Sequence, residues 1–108
     1  MTVIFHPDFP SDIRKFESDY GQISGGLAAR FRNEIYSAVD AVKVSPTLAG
    51  HFLQVNSSVV SEFRRRNLKA FPFFILYGIA DDRLIFGSVI PSRSDPLTWL
   101  TRFSIVKP

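Results

Sequence analysis

Six cationic side chains in the second half of this chain are the residues best able to do chemistry. Arg64, Arg65, Arg66 and Lys69 form one run, Arg83 follows an acidic pair, and Arg93 opens an Arg-Ser-Asp-Pro turn. Guanidinium and ammonium groups at this density suit phosphate oxygens or the carboxylates of an acidic protein. Residues 1–60 hold five Lys/Arg and six Asp/Glu, while residues 61–108 hold eight and four. The halves therefore carry −1 and +4 of an overall +3. A charge of +3 alone describes an ordinary solvated surface; the clustering is what points to a partner.

The groups that would turn a binding surface into a catalytic one are scarcer. Only His6 and His51 titrate near neutrality, and neither lies in the basic third of the sequence. Glu62 and Lys69 carry no motif around them, and Tyr77 sits mid-strand, where a packed ring with a hydrogen-bonded hydroxyl is expected. Two separated His and no Cys give no metal-ligand spacing, so no metal and no cofactor is expected. Ser57, Ser58 and Ser61 have no His and Asp in a triad pattern. Gly25-Gly26 does not follow a strand and reads as a hinge, not a phosphate cradle.

Positioning such cations requires a scaffold, and the apolar pattern supplies one. Thr2–Phe5 is a β-prone run stopped by His6-Pro7. Phe9, Ile13, Phe16 and Tyr20 then recur at helical spacing, with Pro10 confined to the first turn and Gly21 as a stop. Ser24-Gly25-Gly26 opens a longer helix whose stripe is Leu27, Phe31, Ile35, Ala38 and Val42, ended by Ser45-Pro46. These two amphipathic segments predict an antiparallel helix hairpin.

Residues 47–58 show no period and read as an irregular connection. Strands follow around 59–67, 71–80 and 83–90, with Asp81-Asp82 as the tight turn between the last two. The middle one, Phe71-Pro72-Phe73-Phe74-Ile75-Leu76-Tyr77, is apolar on both alternating faces, which marks a central strand with Pro72 at its start. Asp95-Pro96 begins a closing segment of about one helical turn, where Leu97, Trp99, Leu100 and Phe103 can pack. The fold expected is α+β, in the order β-α-α-β-β-β, with the hairpin on a mostly antiparallel sheet and a short C-terminal helical segment.

Its 108 residues, 45% hydrophobic with 11 Phe, suffice for one small domain over 1–108. Absence of Cys agrees with a reducing cytoplasm. No basic leader precedes the apolar start, and no run approaches the roughly 20 apolar residues of a membrane helix. The expectation is a soluble, cytoplasmic protein without membrane contact.

This order of elements resembles the RelE/ParE superfamily, bacterial toxins of type II toxin–antitoxin (plasmid stabilisation) modules. The residues that carry the likeness are Phe5-His6-Pro7, Phe63-Arg64-Arg65, Phe71-Pro72-Phe73, Ile75-Leu76-Tyr77, Val89-Ile90, Arg93-Ser94-Asp95-Pro96 and Trp99. The family pattern is similar there: an Arg before the third strand, a Pro-aromatic followed by apolar-apolar-Tyr, then a His-x-Arg-Arg-Asp-Pro-like turn. Pro91 stands where the family often has His, and Ser94 replaces the second Arg. Residues 97–108 lack the Tyr or His that RelE-branch nucleases place near the C-terminus.

The resemblance implies a growth-inhibiting toxin with a cognate antitoxin as partner and no small-molecule cofactor. It leaves two targets open. A ParE-like chain would poison DNA gyrase through a surface contact and would not be an enzyme. A RelE-like chain would be a metal-independent endoribonuclease acting on ribosome-bound mRNA. RNA cleavage of that kind needs a base for the 2′-OH, a cation for the phosphate and an acid for the leaving 5′-oxygen. Arg65, Lys69 and Arg93 are the candidates for that catalytic set, with Arg64, Arg65, Arg66, Lys69, Arg83 and Arg93 as the wider phosphate- or partner-binding set. The missing C-terminal His or Tyr favours the binder or a weakened nuclease, the basic cluster favours RNA, and Pro91 and Ser94 motivate a third reading, a family member no longer toxic.

Overall fold

The computed structural model describes residues 1–53, 60–95 and 101–104. The elements are β1 (Thr2–Phe5), α1 (Asp8–Gly21), α2 (Gly25–Val44), β2 (His51–Leu53), β3 (Glu62–Asn67), β4 (Phe73–Ala80), β5 (Arg83–Pro91) and α3 (Thr101–Ser104). They build an α+β fold in which the α1–α2 hairpin lies on one face of a mixed sheet ordered β1-β5-β4-β3-β2. All pairings are antiparallel except β1 with β5.

The helices form where the apolar stripes predict. His6 Nδ1 accepts from the Asp8 N–H at 3.0 Å, answering one of the free donors at the start of α1. Ser24 caps α2 by accepting from the Leu27 N–H at 3.2 Å. Phe9 and Ile13 of α1 and Phe31, Ile35, Ala38, Val39 and Val42 of α2 are buried against Phe73, Ile75, Tyr77, Leu84, Phe86 and Val89 of the sheet. Tyr20, Phe31, Phe71 and Phe73 meet mostly edge to face, with centroids 5.0–6.2 Å apart.

The expected central strand is central. Every residue of β4 is buried except Ile79, which is half-buried, because helices cover one face and a second cluster covers the other. Pro72 stands just before β4, where it breaks no ladder bond, and its carbonyl accepts from the Ser92 N–H at 2.9 Å. Asp81 takes the left-handed conformation (φ 54°) in the two-residue turn into β5, a conformation Asp tolerates better than most residues.

Two expectations need correcting. The stretch read as irregular contains β2, a three-residue edge strand whose period is too short to see in sequence; its partner β3 defines it. The strand expected from residue 59 starts at Glu62, and the one expected from Phe71 starts at Phe73. Residues 54–59, and Leu97, Trp99 and Leu100 of the closing segment, lie outside the described residues. The helical turn expected near the C-terminus is present as α3.

On the sheet face away from the hairpin, Val60, Phe63, Phe74, Leu76, Ala80, Ile85, Ile90 and Phe103 form the second core. Leu76 pairs with Ser88 and Tyr77 with Phe86, so Gly87 is the extra residue of a β-bulge. The Phe103 ring lies over it: a Cβ on Gly87 would stand 2.5 Å from the ring, and one on Gly78 3.1 Å. Arg102 clamps α3 to the body through Asp12 at 2.7 Å and the Gly87 carbonyl at 3.0 Å, while Asp12 also accepts from the Val89 N–H at 3.0 Å.

Candidate functional site

Alternation along β3 divides the arginine run. Arg64 pairs across to Tyr77 and Arg66 to Ile75, both on the helix-covered face, whereas Arg65 pairs to Leu76 on the opposite face. The division expected from the sequence holds.

Arg64 and Arg66 turn inward to the link between α2 and β2. Arg64 Nη1 donates to the Gly50 carbonyl at 2.8 Å and Arg66 Nη1 to the Ala49 carbonyl at 2.9 Å. Arg64 also pairs with Glu62, the carboxylate considered as a possible base. The Tyr77 hydroxyl donates to the Pro46 carbonyl at 2.5 Å. Gly50 permits this approach, since a Cβ there would stand 2.2 Å from the Tyr77 oxygen. Burial pushes the Tyr77 hydroxyl up to about 12; Arg64 opposes the rise, Glu62 adds to it, and Arg66 opposes it again. Tyr77 is thus the packed, hydrogen-bonded aromatic expected, and it stays neutral at physiological pH.

Arg65 lies over the Phe74 ring at 3.8 Å, and its Nε donates to Asn67 Oδ1 at 3.0 Å. Burial lowers its pKa, but a guanidinium remains charged near neutrality. Directly opposite Arg65 on β2 stands His51, whose side chain is exposed. Paired residues have Cβ atoms about 4.5–5.5 Å apart. His51 and Arg65 are therefore cross-strand neighbours on one face, with the guanidinium leaning the other way, over Phe74 of β4. This pairing is invisible to a reading of the residues alone, because 14 positions separate the two and β2 has no visible period. A pairing signal between His51 and Arg65 across related chains is what could have found it.

Register also sorts the remaining cations. Asn67 lies level with Phe74 and Ile90, so the ends of β3 and β5 coincide, and exposed Lys69 and Arg93 follow from that same end. Arg83 opens β5 at the opposite end, next to Thr2 and Ala80. At about 3.3 Å per residue it is about 26 Å from Pro91. The sheet thus brings Lys69 and Arg93 to the end toward which Arg65 lies, and it sets Arg83 apart. His6 closes β1 and is buried, engaged with the Asp8 N–H, as expected of a structural His.

A second candidate surface is a groove of about 540 Å³ between α1 and α2. Phe5, Phe9, Ile13, Tyr36 and Val39 form its apolar wall, with Phe5 and Tyr36 among the exposed large apolar side chains. Lys43 borders it and lies 5.6 Å over the Phe5 ring. Among the described residues, no three His, Asp or Glu side chains gather as a metal site, and no helix is long and apolar enough to cross a membrane.

This architecture, a helix hairpin on a mixed sheet with β1 parallel to the last strand, is the fold the sequence resemblance implied. It is shared with a chain described as "Chromosomal ParDE TA system from P. aeruginosa", with a TM-score of 0.67. The two are 15% identical, and the match covers 84% of this chain and 95% of the other. At that identity the likeness is one of fold. No protein-family profile and no curated protein matches the sequence.

Proposed function

We propose that this chain is the toxin of a type II toxin–antitoxin module, a ParE-like inhibitor of DNA gyrase held inactive by a cognate antitoxin. The observation that carries this reading is the fold shared with a chain of a ParDE system over nearly its whole length. The distribution of the cations is consistent with it. Two of the six are engaged with backbone carbonyls, and a third stands at the far end of the sheet. The apolar groove between α1 and α2 is the surface suited to an amphipathic antitoxin segment that folds on binding.

A second reading, a RelE-like ribonuclease, is favoured by one observation: His51 faces Arg65 across β2 and β3. His51 could take the proton of a 2′-OH while Arg65 steadies the phosphate. Inducible expression, with growth, mRNA integrity and gyrase supercoiling followed together, separates the two. The ParE-like reading expects lost supercoiling activity with intact mRNA. Rapid mRNA cleavage by the purified protein would overturn it. Normal growth with abundant folded protein would overturn both.

A further inference from the structure

Arg66 keeps a hydrogen-bond donor that no described residue answers. Its Nη1 reaches Ala49, but its Nε–H is buried and has no acceptor among the described residues. Buried donors of this kind are normally satisfied, so one left open asks what completes it. A pocket of about 130 Å³ lies beside it, lined by Glu34, Ser37 and Ala38 of α2 and by Arg66, Asn67 and Lys69. Spacing of three and four residues puts the α2 members on one helix face.

The lining is rich in donors. Glu34, its one carboxylate, already accepts from the backbone N–H groups of Lys69 and Ala70, the latter at 3.0 Å. That leaves two cations, Arg66 and Lys69, around one partly answered anion. Asn67 turns its side chain to the opposite sheet face, where its Oδ1 accepts from Arg65, so it offers no side-chain donor here. Ser37 is exposed on α2 with a hydroxyl able to donate. A water molecule would satisfy one N–H but leave the surplus positive charge; an oxyanion would answer both.

We propose that this pocket binds a single tetrahedral oxyanion, phosphate foremost, between α2 and the end of β3. Arg66 Nε, Lys69 Nζ and Ser37 Oγ are its donors. The volume admits a phosphate group. Free phosphate and the phosphate of a nucleotide present the same chemistry to it. The site stands whether the target is gyrase or RNA, because it is defined by binding and not by toxicity.

The test is an amide-resonance titration of the full chain with inorganic phosphate, against chloride at matched ionic strength. The expected result is a saturable shift confined to Glu34, Ser37, Asn67, Lys69 and their neighbours. Ser37→Ala and Lys69→Met, both at exposed positions, should each weaken it by about tenfold, the worth of one charge-assisted hydrogen bond. Adenosine monophosphate serves as the second arm. Equal affinity identifies free phosphate as sufficient, and tighter binding identifies a nucleotide as the source. Absence of a saturable shift, a shift spread equally to Arg83 and Arg93, or unchanged binding in both variants would overturn the proposal.

Discussion

The two faces of the sheet use the same residue type in opposite ways. On the helix-covered face, Arg64 and Arg66 reach the Gly50 and Ala49 carbonyls and, with Tyr77, fix the link from α2 to β2. On the other face, Arg65 lies 3.8 Å over the Phe74 ring, and its cross-strand neighbour on β2 is the exposed His51. Local charge density in the sequence is therefore a poor measure of available charge. Three consecutive arginines contribute one cation to the face where a partner could meet it with His51.

Breaking the helix-covered face should cost most. Phe31 is fully buried among Tyr20, Phe71 and Phe73, and Phe31→Ala should lower stability by about 3–5 kcal/mol in urea denaturation. The opposite face should yield less to Gly87→Ala. The added methyl meets the Phe103 ring, and overpacking costs about 1–3 kcal/mol, read by the same method. If the two losses were equal, α3 would hold its face as firmly as the hairpin holds the other.

The arginines sharpen the contrast further. Arg64→Met leaves the Gly50 carbonyl without its guanidinium and should destabilise by about 1–3 kcal/mol. Arg65→Met should change stability by less than about 1 kcal/mol, as expected for a half-buried cation–π contact. His51→Ala with Arg65→Ala should leave gyrase inhibition intact under the ParE-like reading, and a supercoiling assay beside an RNA-cleavage assay decides this.

A further contrast is one of pH. Burial holds the Tyr77 pKa at about 12, above the ordinary value of 10.0. The folded state therefore favours the protonated hydroxyl. That contribution is whole below pH 10 and is lost as pH rises through about 12. Melting temperature should fall across this window in the wild type, and less so in Tyr77→Phe.

Much of this fold could be read from the residues. Phe9, Ile13, Phe31 and Ile35 repeat at helical spacing because one helix face is buried, and β4 is apolar on both faces because both are covered. Period two also foretold that Arg65 would part from Arg64 and Arg66. What could not be read depends on contacts distant in sequence. β2 is three residues long and exists through β3, so no local pattern announces it. The cross-strand pairing of His51 with Arg65 follows from β2, and the engagement of Arg64 and Arg66 follows from where the Ala49 and Gly50 carbonyls pass. The candidate site was thus legible as a list of cations but not as an arrangement.

The parallel pairing of β1 with β5 has a consequence for how the molecule comes to be. Thr2 to Phe5 align with Arg83 to Phe86, so the first strand made waits for a partner made some eighty residues later. Hairpins such as β4–β5 can close as they emerge, but β1 must span both helices and three strands before it finds its place. At synthesis rates of about 5–20 residues per second, its apolar Val3 and Ile4 remain without their sheet for several seconds. For a chain proposed to be harmful when folded, this keeps the sheet unfinished until β5 has been made.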